Sequence, residues 1–419
     1  MVLVIILIFI VGYLAIAFEE QLEFNKTATA LLTGVLCWAV YAVSSNDTVS
    51  EPLARHLAST AEILFFLMGA MTIVELIDAH NGFDLITDCI ATRNPRKLLW
   101  VVAMLTFFLS AILDNLTTAI VMVSLLKKLM PASQTRLLMA GVVIVAANAG
   151  GAWSPIGDVT TTMLWIGGQI TTVATVTKLF VPSLVSLVVP LVFLSFDKLF
   201  KIQKLGIITS KSSTFSRSRF EQIMMLSIGL GGLLFVPVFK TITHLPPYMG
   251  ILLVLGVIWA VSELLHKDKD EAERQPLTAA FALSRIDTSS ILFFLGVLLA
   301  VGCLEATQIL SALSVWLNNE VGNLDLIVAL IGLASAIIDN VPLVAASIGM
   351  YDLQTYPTDD RLWQFLAYCA GTGGSILIIG SAAGVAVMGM ERISFGWYFR
   401  KISWLALLGY LAGVGVYFV

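Results

Sequence analysis

Ser110-Ala111-Ile112-Leu113-Asp114-Asn115 interrupts the apolar run 98–130 near its middle, and Ser335-Ala336-Ile337-Ile338-Asp339-Asn340 interrupts the run 325–350 in the same way, with five of six residues identical. The arms on either side, 98–113 and 116–130, then 325–338 and 341–350, are too short to span comfortably a bilayer that needs about 20 apolar residues. A re-entrant helical hairpin, entering and leaving on one side, accommodates each pair. Two more matches bracket these. Ile63-Leu64-Phe65-Phe66-Leu67 returns as Ile291-Leu292-Phe293-Phe294-Leu295, and Gly150, Gly151 and Gly157 fall with the same spacing on Gly373, Gly374 and Gly380. Any one match could be chance in an apolar chain, but three in order make a repeat.

The composition agrees with a chain built for lipid. Of 419 residues, 58% are hydrophobic and only 12% charged, with a mean hydropathy of +0.92. A soluble protein carries about 25% charged residues, so a soluble enzyme, a nucleic-acid binder and a disordered scaffold are excluded. The net charge of -4 says little about partners, because sidedness matters more than the sum. Cys37, Cys89, Cys303 and Cys369 form no CxxC and read as small apolar fillers. His56, His80, His244 and His266 fall near span ends and read as interfacial. Residues 1–18 lack a basic start and a cleavage site, so they read as a first span.

The expected fold is therefore an all-α polytopic membrane protein of two inverted repeats, each with five spanning helices, one of them broken, plus a re-entrant hairpin. The first repeat, 1–198, holds spans near 2–18, 27–45 and 60–79, an amphipathic stretch 81–97, the hairpin 98–130, a broken helix 137–168 and a span 173–196. A cytoplasmic linker, 199–221, follows. The second repeat, 222–419, holds spans near 222–239, 246–265 and 288–306, an amphipathic stretch 308–323, the hairpin 325–350, a broken helix 361–391 and a span 400–418. Five crossings per half is an odd number, so the second half starts on the opposite side and the repeats are inverted. With both termini outside, all but four of the 24 basic residues fall on the inner side, the exceptions being Arg55, Lys178, Lys240 and Arg361. That asymmetry obeys the positive-inside rule. The two hairpins then enter from opposite sides and their tips can meet near the midplane.

Backbone leaves helical geometry inside a bilayer only where it lines protein or a wet cavity. At each hairpin tip the last carbonyls of one arm and the first N–H groups of the next converge. Asp114 and Asp339 sit there. They could serve as N-caps, but an acid at that depth costs about 2.5–3.5 kcal/mol or more, which argues for function. The broken helices add Asn148, Ser154, Asp158, Thr160, Thr161 and Thr162 in one half and Thr372, Ser375 and Ser381 in the other. Carboxylate, amide, hydroxyl and carbonyl oxygens are what a hard cation needs. A hard cation is therefore expected near Asp114, Asp158 and Asp339, with Glu75 and Glu305 deep enough to be accessory acids. ATP-binding, zinc-hydrolase and nucleophile-elbow motifs are lacking, so no enzymatic activity and no cofactor are expected.

Asp-Asn-Leu-Thr-Thr at 114–118, Ser-Ala-Ile-Ile-Asp-Asn at 335–340 and Asn-Ala-Gly-Gly-Ala-Trp-Ser-Pro-Ile-Gly-Asp-Val-Thr-Thr-Thr at 148–162 resemble NhaD-type sodium/proton antiporters. These belong to the ion-transporter superfamily that also holds arsenite pumps, citrate carriers and divalent-anion/sodium symporters. The resemblance implies export of sodium or lithium in exchange for protons, a homodimer, and an elevator-like movement of hairpins and broken helices against a scaffold in a bacterial inner (plasma) membrane. It points to Asp114, Asn115, Asn148, Asp158, Thr160, Thr161, Ser335, Asp339, Asn340 and Ser375, with Na+ or Li+ at Asp114, Asp158 and Asp339. The symporter relatives carry Ser-Asn-Thr at the corresponding tips, and the aspartates here depart from that.

The mechanism this suggests is competition. An acid out of water favours its neutral form, whereas a dehydrated cation beside it favours the ionised one. The same carboxylate then holds a proton or a sodium ion, and exchange follows if the site must be occupied before it moves. The alternatives are an anion or arsenite/antimonite exporter of the same fold and, more remotely, an intramembrane aspartyl protease. Partners are expected to be small cations, protons and the lipid bilayer, with no nucleic acid.

Overall fold

The computed structural model describes residues 1–17, 19, 24–45, 49–88, 92, 94–131, 133–197, 200 and 218–419. Cys89, the basic residues Arg93, Lys198, Lys201, Lys204, Lys211 and Arg217, and most of the 199–221 linker lie outside the described residues. Among the described residues there is no strand. The first half runs α1 (Val2–Ala17), α2 (Lys26–Ser44), α3 (Ser50–Ala79), α4 (Pro95–Ser110), α5 (Asn115–Leu129), α6 (Gln134–Ala152), α7 (Val159–Ile166) and α8 (Thr172–Ser195). The second runs α9 (Arg219–Thr243), α10 (Pro247–Leu265), α11 (Thr288–Ala306), α12 (Ile309–Val321), α13 (Leu324–Ala334), α14 (Asn340–Met350), α15 (Arg361–Gly373), α16 (Ala382–Glu391) and α17 (Trp404–Tyr417). Among the described residues, eight helices are long and apolar enough to cross a membrane, or nine if the pair α12–α13, bent by 114°, counts as one.

The interruptions fall where the sequence puts them. Residues 111–114 part α4 from α5, 153–158 part α6 from α7, 335–339 part α13 from α14, and 374–381 part α15 from α16. The boundaries outside differ more. α3 begins at Ser50 rather than near residue 60, because its first turns are polar and hide from a hydropathy reading, although Arg55 and Glu51 pair at 3.2 Å on that surface. In the amphipathic stretch 81–97 the described residues show the short helix Asp84–Asp88 before α4.

Contacts between the halves come in reciprocal sets. α2 packs on α11 as α3 packs on α10, and α8 packs on α17. The hairpin arm α4 lies along α6 as α13 lies along α15. The second arms cross over: α5 packs on α16, and α14 on α7. Glycines permit these approaches. A Cβ at Gly150 would overlap the Phe107 carbonyl, and one at Gly373 would overlap the Gly332 carbonyl. Serines then fasten the same joints, with Ser110 Oγ donating to Ala147 O at 2.6 Å and Ser335 Oγ to Ala370 O at 3.3 Å.

Two polar clasps tie one half to the other. Arg136, at the start of α6, binds Glu391 at the end of α16 at 3.0 Å, while Lys127 Nζ donates to Met390 O at 2.8 Å. In the second clasp the Asp359 carboxylate accepts from Thr171 N at 2.7 Å and Thr171 Oγ1 at 2.6 Å, and Asp359 N donates to Gln169 O at 2.8 Å.

The histidines correct the sequence reading. His244 is exposed and His56 half-buried, but His80 and His266 are buried, with their Nε2 atoms 2.9 Å apart. Each ring supplies the polar partner that lets the other leave water. Cys37, Cys303 and Cys369 are buried thiols.

Candidate functional site

Four helix N-termini meet inside the protein, each with a polar cap. Asp114 caps α5, its carboxylate accepting from Thr117 N at 2.8 Å and Thr117 Oγ1 at 2.6 Å. Asp339 caps α14, accepting from Val341 N at 3.1 Å. Asp158 caps α7, where Oδ1 accepts from Thr160 N at 2.9 Å and Thr160 Oγ1 at 3.0 Å. Ser381, its counterpart in the second half, caps α16 through Gly384 N at 3.2 Å. A cap side chain folds back onto its own first turn, so the residue after it is free to face elsewhere.

At the tips that next residue is asparagine. Asn115 Nδ2 donates to Asp158 Oδ2 at 2.7 Å and to Asn148 Oδ1 at 3.2 Å. Asn340, from the other hairpin, reaches the same Asp158 Oδ2 at 3.5 Å. Asn148 Nδ2 donates in turn to Ser381 Oγ at 3.0 Å and to Ile144 O at 2.9 Å. Asp158 is 1% exposed, and Asn115, Asn148 and Asn340 are buried with it. Both tips therefore converge on one carboxylate, and the second broken helix joins the cluster through Ser381 and Asn148.

The chemistry of that cluster is adaptable. Each asparagine amide carries a donor end and an acceptor end. The donor ends of Asn115 and Asn340 now satisfy Asp158; turned over, the same two amides present oxygens beside the carboxylate, which is the ligand set of a hard cation. A cavity lined by Asp114, Asn115, Asp158 and Thr162 opens from this point. It shares Leu116, Ser290 and Ala382 with a second hollow bearing Glu19, Asn25, Lys26 and Asp287.

The sequence-derived site residues separate into groups. Asn115, Asn148, Asp158 and Asn340 are brought together, with Asp114 on the same cavity and Thr160 bonded to Asp158. Thr161 Oγ1 bonds Asp158 O at 2.9 Å and so braces the break. Asp339 turns to its own helix. Ser335 bonds backbone carbonyls, and Ser375 Oγ donates to Thr372 O at 2.7 Å. Glu75 is paired with Arg285 at 2.7 Å, and Glu305 lies half-exposed with His56 4.0 Å away, so neither joins the cluster. Ser381 does join it; its alignment with Asp158 in the repeat was the signal that could have promoted it.

The model of the citrate transporter family, CitMHS, matches residues 13–363. A protein named sodium/proton antiporter 1 from Arabidopsis thaliana is 54% identical over 98% of this chain and 71% of its own. Sodium/proton antiporter 2 of the same plant is 51% identical over 98% of both chains. The Na(+)/H(+) antiporter NhaD of Alkalimonas amylolytica is 30% identical over 98% of this chain and 89% of its own. These are transporters, and the chain is not an enzyme. The protease reading falls with that, and geometry agrees: each tip aspartate caps its own helix.

Proposed function

The chain belongs to the citrate transporter family and, within it, to the NhaD-type sodium/proton antiporters, and from that premise we propose that it carries Na+ or Li+ across the bilayer in exchange for protons. The observation that carries this reading is the meeting of Asn115 and Asn340, one from each hairpin, on Asp158. In the proposed cycle Asp158 binds either a proton or a cation, since one favours the neutral acid and the other the ionised one. Asp114 shares the cavity and takes part in the exchange; Asp339 and the remaining tip residues complete the site when the amides turn over. Na+ and protons are substrates here, not cofactors.

The movement proposed is elevator-like. The hairpins and broken helices travel as one body, and the reciprocal packing of α5 on α16 and α14 on α7, with the two clasps, supports such a body. The division at 1–198 and 222–419, the inverted relation of these halves, termini on the outer face and a homodimer complete the proposal. The basic-residue asymmetry supports the sidedness. Proton transfers beyond one per sodium would make the cycle electrogenic, worth about 2.3 kcal/mol per net charge per 100 mV.

The test is dequenching of a pH-sensitive dye in everted vesicles on adding NaCl, LiCl or KCl, for wild type, Asp114→Asn and Asp339→Asn at matched expression. A sodium or lithium response that both variants lose supports exchange through both tips. A well-expressed wild type that ignores every cation from neutral to alkaline pH overturns the reading in favour of an anion or arsenite/antimonite exporter.

A further inference from the structure

Lys240 is one of the four basic residues outside the charge asymmetry, and the others pair at exposed positions: Arg55 with Glu51, Lys178 with the Asp359 carbonyl, Arg361 with Asp325. Lys240 reaches inward. It lies in the last turn of α9, and its ammonium donates to Trp165 O at 2.7 Å while standing 4.4 Å from the centre of the Trp165 ring. Trp165 is 2% exposed and sits in the last turn of α7. That helix is eight residues long and begins at Asp158, so about 12 Å of rigid rod joins the two ends. The Trp165 carbonyl already accepts from Gly168 N at 3.4 Å in the closing turn, and the ammonium adds a second, shorter bond there and complements the helix's negative pole. Stacking on indole adds to the attraction.

The contact lies where two groups of helices meet: α9 packs on α3 and α10, and α7 packs on α14 and α15, while α3 touches α7 as well. α9 carries Lys240 to the side opposite that from which α11 begins, where Ser289 and Asp287 line the hollow leading to Asp158.

We propose that Lys240 is a positioning residue, a latch by which α9 holds the far end of α7 and so fixes Asp158 in its present, cavity-facing place. The inference rests on the antiport reading: if hairpins and broken helices move as one body, this bond breaks in every cycle. Lys240 touches no transported ion. It sets how much of the population offers Asp158 to the cavity, so removing it weakens sodium binding from that side without removing a ligand.

The test compares Lys240→Met and Lys240→Arg in everted vesicles, reading half-saturating sodium and maximal rate separately. The same substitutions are also read without transport. Cys37, Cys89, Cys303 and Cys369 are replaced by alanine, Gln169→Cys is introduced just beyond α7, and its labelling by a membrane-impermeant maleimide is followed on intact cells. Lys240→Met is expected to raise half-saturating sodium roughly tenfold, the scale of a lost bond to a charged group, with the maximal rate kept or raised and labelling faster. Lys240→Arg, which keeps charge, donor and stacking, is expected to match wild type in all three. The latch is overturned if Lys240→Met leaves half-saturation and labelling as in wild type, if only the maximal rate falls in step with folded protein, or if Lys240→Arg behaves like Lys240→Met. Should wild type show no sodium response, the antiport reading fails and labelling alone decides the latch.

Discussion

Asn115 Nδ2 stands 2.7 Å from Asp158 Oδ2, joining the tip of the first hairpin to the cap of the broken helix. Replacing Asp158 by asparagine keeps an acceptor for Thr160 and so keeps the cap, yet removes the charge. Asp158→Asn is expected to fold at wild-type levels and to lose the sodium-driven dye response altogether. Asn115→Ala removes one ligand and is expected to raise half-saturating sodium roughly tenfold. Undiminished exchange in Asp158→Asn would place the ion elsewhere.

Sodium that binds only the folded protein must stabilise it. At a hundredfold excess over its dissociation constant the gain is about 2.7 kcal/mol, visible as a rise in melting temperature of the purified protein. Protons compete for the same carboxylate, so the rise should shrink as pH falls. It should vanish in Asp158→Asn. A rise independent of pH would separate sodium from the proton site.

Gly150 and Gly373 lie where a Cβ would meet a carbonyl of the neighbouring arm. Gly150→Ala and Gly373→Ala are therefore expected to destabilise by about 1–3 kcal/mol, the usual cost of overpacking. Gly231 and Gly256 have open space around them, and alanine there should be neutral or slightly stabilising, since glycine weakens a helix interior. Thermal unfolding in detergent distinguishes the two pairs; equal shifts would mean that the close approach is not what the glycines provide.

Glu391 is fully buried against Arg136, whereas Glu51 and Arg55 pair in the open. Removing one member of a buried pair strands the other, at about 3–5 kcal/mol. Exposed pairs contribute about 0–1 kcal/mol. Glu391→Ala is expected to lower the melting temperature sharply and Arg55→Ala hardly at all.

Much of this fold could be read along the chain because the interruptions are abrupt. A run such as Asn148 to Asp158 cannot continue as a lipid-facing helix, and its glycines recur at fixed spacing. Helix ends near water were harder: polar first turns dissolve into the flanking loop, as in α3. The site was legible in its residues but not in their directions. Two neighbours at a helix start, Asp114 and Asn115, point opposite ways, one back to its own turn and one across to Asp158. A sequence gives the order of such residues without the rotation between them. The His80–His266 contact and both clasps join residues far apart in the chain, and no local pattern marks them.

The crossing-over of the second hairpin arms bears on how the protein is made. When residue 198 has been synthesised, α5 and α7 still lack α16 and α14, the helices against which they finish. Asp158 then has Asn115 but not Asn340. The nascent first half must wait in the membrane with an unfinished polar centre until nearly the whole of the second has been threaded. Quality control of this transporter is thus a question of timing: a ribosome that stalls after the linker leaves behind a half-built polar centre, a ready mark for disposal.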